Sequence, residues 1–353
     1  MPKKIVLLLD GTSNTISERR TNVLRLYGCL RKTDRQIVYY SPGVGTMGAQ
    51  NAWSESVQQI SELWGMASGQ GIDKNVKQAY RFLVETYSNG KDRGEARDQI
   101  YIFGFSRGAY TARMLAGFIH TVGLIERRNL NLVDYAYRAY KKIGENENPD
   151  VFAEVRLYER IFDTDRPPVR LLGLFDTVAS VIEPGDGLVP QLKRHAYTSR
   201  NPSVEAVRHA VALDERRRMF RAIRWPEAQS YLGNPFQKDQ GVLQDAKEVW
   251  FTGVHGDIGG GYTEATSHLA KIPLIWMIEE SAQMGLEFVT QTINRIVRGT
   301  KEGDKYVRPD AHVSEQDSMT TGWSVLEQIP LPTWKAEGRM QLRRTRGGAP
   351  RCT

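Results

Sequence analysis

Cysteine is scarce in this chain of 353 residues, which has two, Cys29 and Cys352. The pair argues against a disulfide scaffold and has no metal-ligand spacing, which suits a reducing compartment. Long hydrophobic runs are also missing. The apolar run Ile5–Leu9 is too short for the core of a signal peptide, and no stretch approaches the roughly 20 apolar residues of a membrane span. We therefore expect a cytoplasmic protein, unless a specialised secretion system exports it.

A strong excess of charge of one sign is missing as well. The net charge is +7, and the basic residues are spread along the chain. The densest basic cluster surrounds Arg216, Arg221 and Arg224, and we interpret it as a solvated face. The hypothesis of a nucleic-acid-associated protein rests on this basic balance alone. Such a protein would show steeply salt-dependent binding. We expect no nucleic-acid partner and, at most, peripheral contact with an anionic membrane surface.

Short apolar runs, typical of buried parallel strands, alternate along the chain with helical patterns. The predicted strands are Lys4–Leu9, Gln36–Tyr40, Gln99–Phe103, Val169–Phe175 and Glu248–Gly253. The predicted helices lie near residues 57–64, 72–87, 110–118, 133–140, 202–213 and 273–284. This alternation predicts an α/β fold with a mostly parallel central sheet and helices on both faces. We expect residues 1–300 to form one catalytic domain and residues 301–353 an extension that is partly peripheral or mobile.

The most informative segment is YIFGFSRGAYTAR, residues 101–113, in which a strand runs through GFSRG into a helix. A serine between a strand and a helix on so sharp a turn is a nucleophile elbow, which holds the serine in a strained backbone conformation. Side chains two residues to either side must then be nearly absent. Gly104 and Gly108 meet that demand, and we predict Ser106 as a nucleophile.

Two later strand ends carry the partners that a serine nucleophile needs. Such a serine requires a base, which a carboxylate orients, and in α/β-hydrolases the chain order is serine, acid, histidine. Asp176 follows the strand Val169–Phe175, and His255 follows the strand that begins at Glu248. We predict Asp176 as the acid and His255 as the base.

Five other histidines compete for the role of the base. Three lie within or beside helical patterns, which favours structural roles: His120, His209 and His268. Two lie in loops and stay open on pattern alone: His195 and His312.

The acid has rivals too. Asp176 could instead cap a turn, as Asp commonly does. Asp214 lies in the stretch ALDERR, which we predict as helical, and Asp257 is two residues from His255. Because Asp257 is so close in sequence, it cannot easily orient that imidazole, and we expect it to brace the histidine loop.

An oxyanion hole needs two backbone N–H donors. One should come from Arg107, the residue after the nucleophile. The other usually comes from a loop after an earlier strand, and the loop DGTSN, residues 10–14, has the small residues required. We expect the second donor to be Gly11 or Thr12, although this loop could also be an ordinary strand-to-helix turn.

Two other motifs point to different chemistry. GVGTMG, residues 43–48, matches a dinucleotide fingerprint, but no strand ending in an acid follows about 20 residues later. LLLDGT, residues 7–12, is similar to the DxDGT motif of haloacid-dehalogenase-type phosphatases, whose nucleophile would fall at Leu8. Leucine carries no such chemistry, so we expect neither activity, and no cofactor or metal.

With these motifs in place, the chain resembles an α/β-hydrolase domain family related to the catalytic domain of type VI secretion phospholipase effectors. The resemblance rests on GFSRGAYTAR, FDTV, WFTGVHGDIGGGY, LLLDGTSN, YYSPGVGT, HAVALDERR and IPLIWMIEE, and covers roughly residues 3–285. It implies Ser106 as nucleophile, Asp176 as acid and His255 as base. It also assigns the loop at residues 43–48 to the hydrolase scaffold.

We therefore predict a serine hydrolase that cleaves carboxylic esters, of lipid or phospholipid type, through an acyl-enzyme. The alternative is a hydrolase-fold protein that binds a ligand without turnover. A buried Ser106, or a distance beyond about 4 Å between its Oγ and the imidazole of His255, would favour that alternative.

Overall fold

Six parallel strands form the central sheet of this protein. The computed structural model describes residues 2–11, 19–43, 70–91, 94–145, 164–178, 182–184, 190–192, 195–217, 220–233, 241–319, 323–324, 332–334 and 340–342. The strands are β1 (Lys4–Leu9), β2 (Gln36–Ser41), β3 (Gln99–Phe105), β4 (Val169–Phe175), β5 (Val204–Ala212) and β6 (Asp245–Phe251). Their order across the sheet is β6-β5-β4-β3-β1-β2, and every neighbouring pair is parallel. The carboxyl ends of all six strands therefore meet at one rim.

Helices cover both faces of the sheet, as predicted. They are α1 (Asn22–Cys29), α2 (Gln70–Thr86), α3 (Arg107–Val122), α4 (Val133–Glu145), α5 (His255–Gly259) and α6 (Lys271–Gln283). The apolar residues of α2, α3 and α4 pack on one face, and those of α1, α5 and α6 pack on the other. Because both faces are buried, the central strands are apolar along most of their length.

Short elements complete the described fold. Two 3₁₀ helices span Arg127–Leu132 and Glu264–Thr266, a single α-turn spans Thr290–Thr292, and a π-helix spans Ile293–Val297. Three antiparallel pairs join Ile182–Pro184 to Pro190–Leu192, Ser230–Tyr231 to Val242–Leu243, and Pro332–Trp334 to Met340–Leu342. None of the helices in the described ranges is both long and apolar enough to cross a bilayer.

The prediction of a helix at residues 202–213 is wrong, because this segment is the buried strand β5. Its apolar residues recur at helical spacing because a strand covered on both faces lacks the alternation of a half-exposed strand. The polar residues Arg208 and His209 are accommodated by distant carboxylates. Arg208 pairs with Glu280 in α6, and the His209 ring bonds Glu248 in β6.

The other predicted elements differ from the structure mainly at their ends. The strand predicted from Glu248 begins earlier, at Asp245, and ends at Phe251. The helix expected near residues 72–87 spans Gln70–Thr86, and the one expected from Pro273 begins at Lys271. The helix predicted at residues 57–64 lies outside the described residues.

Candidate active site

Ser106 is the single residue between β3 and α3. Its backbone has φ 58° and ψ −123°, a conformation that L-residues rarely adopt. The Ser106 N–H donates to the carbonyl of Phe175 at 3.1 Å, and its own carbonyl accepts from the N–H of Tyr110 at 3.2 Å. The side chain is partly exposed at the carboxyl rim of the sheet. The local geometry is thus the sharp strand-to-helix turn that the sequence predicts.

The two flanking glycines are required by close backbone contacts. A Cβ on Gly104 would lie 2.3 Å from the carbonyl oxygen of Gly108. A Cβ on Gly108 would lie 2.1 Å from the carbonyl oxygen of Leu9 and 2.6 Å from that of Asp10. These atoms are backbone and cannot move aside, so the turn packs directly against the end of β1.

We expect Gly108→Ala to destabilise the protein by more than about 3 kcal/mol, because the added methyl group would overlap backbone atoms of β1. Chemical denaturation, followed by circular dichroism, measures this change. The matched control is Gly28→Ala in α1, where the nearest atom to a new Cβ is Ile296 Cδ1 at 3.5 Å. Alanine is a better helix former than glycine, so the control should change stability by at most about 1 kcal/mol. Equal stabilities of the two variants would contradict the packing argument.

Asp176 lies at the tip of β4, next to the end of β3. It is 1% exposed and has φ 35°, a second strained residue in the same site. Its Oδ1 accepts the N–H of Ala212, the last residue of β5, at 3.1 Å. Its Oδ2 lies 2.6 Å from Nδ1 of His255.

His255 begins the short helix α5, and three residues separate it from the end of β6. Its ring is buried, with Nδ1 toward Asp176 and Nε2 2.9 Å from Oγ of Ser106. A carboxylate only accepts hydrogen bonds, so Nδ1–H donates to Asp176 and Nε2 accepts the serine hydroxyl. The structure therefore brings the three side chains together in one hydrogen-bonded chain.

Two aromatic rings hold the imidazole from its sides. The centroid of Phe105, the last residue of β3, lies 4.7 Å from that of His255. The ring of Phe220 stands edge-on to the imidazole at 4.9 Å. This packing restricts the imidazole to the orientation that its hydrogen bonds to Ser106 and Asp176 require.

The remaining histidines have partners elsewhere. His120 Nδ1 lies 2.7 Å from Ser203 Oγ, and burial lowers the pKa of this imidazole to about 4. His195 Nδ1 lies 2.9 Å from the hydroxyl of Tyr110. The His209 ring bonds Glu248 and the N–H of Thr177, and the His268 ring bonds the carbonyl of Arg308. His312 donates its main-chain N–H to Asp310. Among the six histidines, all within the described ranges, His255 is the one that bonds Ser106.

The rival aspartates accept hydrogen bonds from the backbone of the loop that precedes His255, and not from its imidazole. Asp214 Oδ2 accepts the N–H of Gly253 at 2.7 Å. Asp257 is 1% exposed, and its Oδ2 accepts the N–H groups of Val254 and Gln316, each at 3.1 Å. Burial raises the pKa of the Asp257 carboxyl. The contacts of Asp257 are those of a loop brace.

Of the predicted oxyanion donors, Arg107 follows Ser106 directly in the chain. Arg107 is the first residue of α3, and the first N–H groups of a helix have no acceptor within it. The Gly11 N–H donates to Oδ1 of Asp10 at 2.7 Å. It would have to leave that carboxylate to meet an oxyanion, so its role stays a prediction. Thr12 lies outside the described residues.

Asp10 itself anchors the loop after β1. Its Oδ2 accepts the hydroxyls of Thr21 at 2.5 Å and Tyr40 at 2.8 Å. Burial and the neighbouring carboxylate raise the pKa of Tyr40. A Cβ on Gly43 would lie 2.1 Å from the carbonyl oxygen of Gly11, so the start of the glycine-rich loop packs on the same turn. The rest of that motif, residues 44–48, lies outside the described residues.

Sequence reasoning missed several residues that contact the histidine. Phe220 and Glu215 belong to the run LDERRRMF, residues 213–220, whose charges read as a solvated face. Glu215 is in fact largely buried and accepts the main-chain N–H of His255 at 3.2 Å. Nothing in the pattern of this run indicates that Glu215 is buried.

Part of the predicted C-terminal extension reaches this site. The Gln316 N–H bonds Asp257, and the ring of Trp323 stands edge-on to Phe220 at 5.4 Å. Nearer its start, the carbonyl of Val307 accepts from the buried ammonium of Lys271 in α6. Val307, Gln316 and Trp323 thus contact α6, Asp257 and Phe220, respectively. The domain boundary near residue 300 stays a prediction.

No group of three or more His, Cys, Asp or Glu side chains within the described ranges is arranged to hold a metal ion. The charged groups around Ser106 are engaged with one another and with backbone groups. The arrangement as a whole places a hydroxyl, an imidazole and a carboxylate in the order that nucleophilic catalysis by serine requires.

Comparison with known proteins gives a family match. The family described as T6SS, Phospholipase effector Tle1-like, catalytic domain, matches residues 3–280. The uncharacterized protein YEL023C of Saccharomyces cerevisiae is 34% identical over 233 residues, which are 63% of this chain and 32% of that protein.

Two solved structures are also similar. The crystal structure of an uncharacterized protein from Pseudomonas aeruginosa aligns with 82% of this chain and 47% of its own, at 20% identity and a TM-score of 0.46. The structure of the Tle1 effector bound to the VgrG spike from the type 6 secretion system aligns with 76% of this chain and 52% of its own, at 18% identity and a TM-score of 0.35. The chain thus spans about a third of the yeast relative and about half of each structure.

Proposed function

The chain belongs to the Tle1-like catalytic domain family of type VI secretion phospholipase effectors, and from this premise we propose that it is a serine hydrolase of lipid esters. Ser106, His255 and Asp176 would form its catalytic triad. The observation that carries the proposal is the unbroken chain of hydrogen bonds from Ser106 Oγ through the imidazole to Asp176, at 2.9 and 2.6 Å.

The first step would be attack on the ester carbonyl. As the Ser106 oxygen forms its bond to the carbonyl carbon, Nε2 of His255 takes the hydroxyl proton. Asp176 stabilises the imidazolium that results and keeps Nδ1 protonated. The strained turn at Ser106 presents the hydroxyl at the rim, where a substrate can reach it.

Negative charge would then develop on the carbonyl oxygen and needs N–H donors. Arg107, at the positive end of the α3 dipole, is well placed in the chain to supply one. The loop after β1 packs against the elbow through Gly108, which supports Gly11 or Thr12 as the second donor.

Collapse of this intermediate would release the alcohol, which takes the proton from His255, and leave the acyl group on Ser106. Water would next lose a proton to the same imidazole and attack the acyl-enzyme. The carboxylic acid leaves and Ser106 recovers its proton. The reaction needs no group beyond those of the triad, the oxyanion donors and water.

A binding protein without turnover is the alternative that the sequence leaves open. It would be favoured by a buried serine or by a long distance between serine and histidine. Ser106 is partly exposed and lies 2.9 Å from Nε2 of His255, which supports catalysis.

The test is covalent labelling together with a substrate panel. The wild-type protein is incubated with a fluorophosphonate probe, and the modified peptide is identified by mass spectrometry. We expect the adduct on Ser106. Hydrolysis of p-nitrophenyl esters of increasing acyl length and of phospholipids is measured in parallel, and we expect release of fatty acid from the phospholipids.

A folded protein that neither reacts with the probe nor hydrolyses any member of the panel would contradict the proposal. Hydrolysis of short esters alone would support a serine hydrolase but contradict a lipid substrate. Labelling at a different serine would remove the assignment of Ser106.

A further inference from the structure

Glu215 is a buried carboxylate beside the site that the proposed reaction does not use. Its side chain is 5% exposed. The guanidinium of Arg217 donates to it through Nε at 2.9 Å and Nη2 at 2.8 Å, and the Arg217 N–H donates to it at 2.9 Å. Burial alone would raise the pKa of this carboxyl, but the hydrogen bonds and charge of Arg217 lower it to about 2.

One further contact of Glu215 leads to the histidine. The His255 N–H donates to Oε2 of Glu215 at 3.2 Å. Because His255 is the first residue of α5, this N–H has no acceptor within its own helix. The carboxylate therefore fixes the backbone from which the imidazole projects, at the opposite end of the residue from the bonds to Asp176 and Ser106.

The partner of Glu215 also supports the ring itself. The guanidinium carbon of Arg217 lies 3.7 Å from the ring centroid of Phe220, and Phe220 stands against the imidazole of His255. The Glu215–Arg217 ion pair thus supports His255 in two ways. Glu215 bonds its main-chain N–H, and Arg217 packs on the Phe220 ring that contacts the imidazole.

A later segment joins this ion pair from outside the region that matches the family. The Ser318 hydroxyl donates to Oε1 of Glu215 at 3.3 Å. Trp323 lies 5.1 Å from the guanidinium carbon of Arg217 and 5.4 Å from the ring of Phe220. Both residues lie beyond residue 280, where the family match ends. Residues of the predicted extension therefore contact the ion pair that supports His255.

We propose that Glu215 is a positioning residue for His255, held by Arg217 and Ser318, with Trp323 packed on Arg217. It orients the imidazole for proton transfer and does not contact the substrate. This inference rests on the proposed function, because it assigns His255 as the base. Misplacing a reacting group by about 1 Å can cost on the order of 100-fold in rate, so a brace of this kind matters to the chemistry.

The test is Glu215→Ala, assayed with a p-nitrophenyl ester. We expect kcat to fall about 10- to 100-fold with KM changed by less than about 3-fold, because the loss lies in orientation and not in substrate binding. The rate of fluorophosphonate labelling should fall by the same factor. The isosteric Glu215→Gln keeps an oxygen for the His255 N–H but loses the charge that holds Arg217, and should fall between wild type and alanine.

A spectroscopic readout separates positioning from a general loss of stability. The proton between His255 Nδ1 and Asp176 should give a far-downfield resonance in the resting protein, and we expect Glu215→Ala to shift or broaden it. The matched control is Glu280→Ala in α6, which removes a largely buried carboxylate that pairs with another arginine, Arg208. The control should leave the resonance and kcat unchanged.

A folded Glu215→Ala protein with wild-type kcat would overturn the proposal, and so would a loss of kcat with an unchanged resonance. If the alanine variant does not fold, kcat and the resonance are measured on Glu215→Gln instead, and the same two results would overturn the proposal. The resonance is measured without turnover, so the inference can fail while the enzyme remains a serine hydrolase. Failure of the proposed function would instead leave no ester hydrolysis in the wild type.

Discussion

Replacing Ser106 by alanine is expected to lower kcat/KM for ester hydrolysis by about 10⁴-fold or more and to abolish fluorophosphonate labelling. The variant loses the oxygen that forms the acyl-enzyme, and no neighbouring hydroxyl has the same contact with Nε2 of His255 among the described residues. The residual rate would come from the oxyanion donors and from substrate binding. Initial rates on the best substrate of the panel measure the effect.

The control for this variant is Ser230→Ala. Ser230 is exposed in the short hairpin at Ser230–Tyr231, so the same substitution should leave the rate within about 2-fold of wild type. Both proteins should unfold at temperatures close to that of wild type, since each loses one hydroxyl. A Ser106→Ala protein that still hydrolyses esters at the wild-type rate would remove this serine from the mechanism.

Asp176→Asn is expected to reduce kcat by about 10⁴-fold without displacing the side chain. Oδ1 of Asp176 accepts the N–H of Ala212, so the amide oxygen of asparagine should take that position. Its NH₂ group then faces Nδ1 of His255 and donates to it. The imidazole must carry its proton on Nε2 instead, and can no longer accept the hydroxyl proton of Ser106.

Asp98→Asn is the matched control. Asp98 is 5% exposed and accepts the main-chain N–H groups of Lys3 and Ser88, so the substitution perturbs a second buried carboxylate. Stability should decrease while kcat of the folded fraction stays unchanged. Steady-state kinetics and thermal unfolding on both variants separate the two effects. Equal kcat values for Asp176→Asn and wild type would exclude the proposed role of Asp176.

The elbow and five of the six sheet strands were predictable because their signals are local. A strand, two glycines around a serine, and a helix occupy a dozen consecutive residues, and each is required by backbone geometry at that point. The contacts of Gly108 with β1 give the physical reason for one of those glycines. The catalytic roles themselves stay proposals until the variants are measured.

The errors and gaps of the prediction arise where distant residues decide the outcome. Strand β5 has apolar residues at helical spacing, and its place between β4 and β6 makes it a strand. Glu215 lies in a charged run that reads as solvent-exposed, and its carboxylate contacts the distant residues His255 and Ser318. No local pattern carries that information.

The amino-acid sequence alone determined that a serine lies on a strained turn, that an aspartate and a histidine follow later strands in hydrolase order, and that the fold is α/β. These properties follow from backbone sterics and from apolar periodicity, which act over a few neighbouring residues. Only the tertiary structure decided that the imidazole of His255 bonds Asp176 and not Asp214 or Asp257, and that Glu215 lies behind it. Hydrogen bonds and burial join residues from different strands, so these choices exist only once the sheet has assembled.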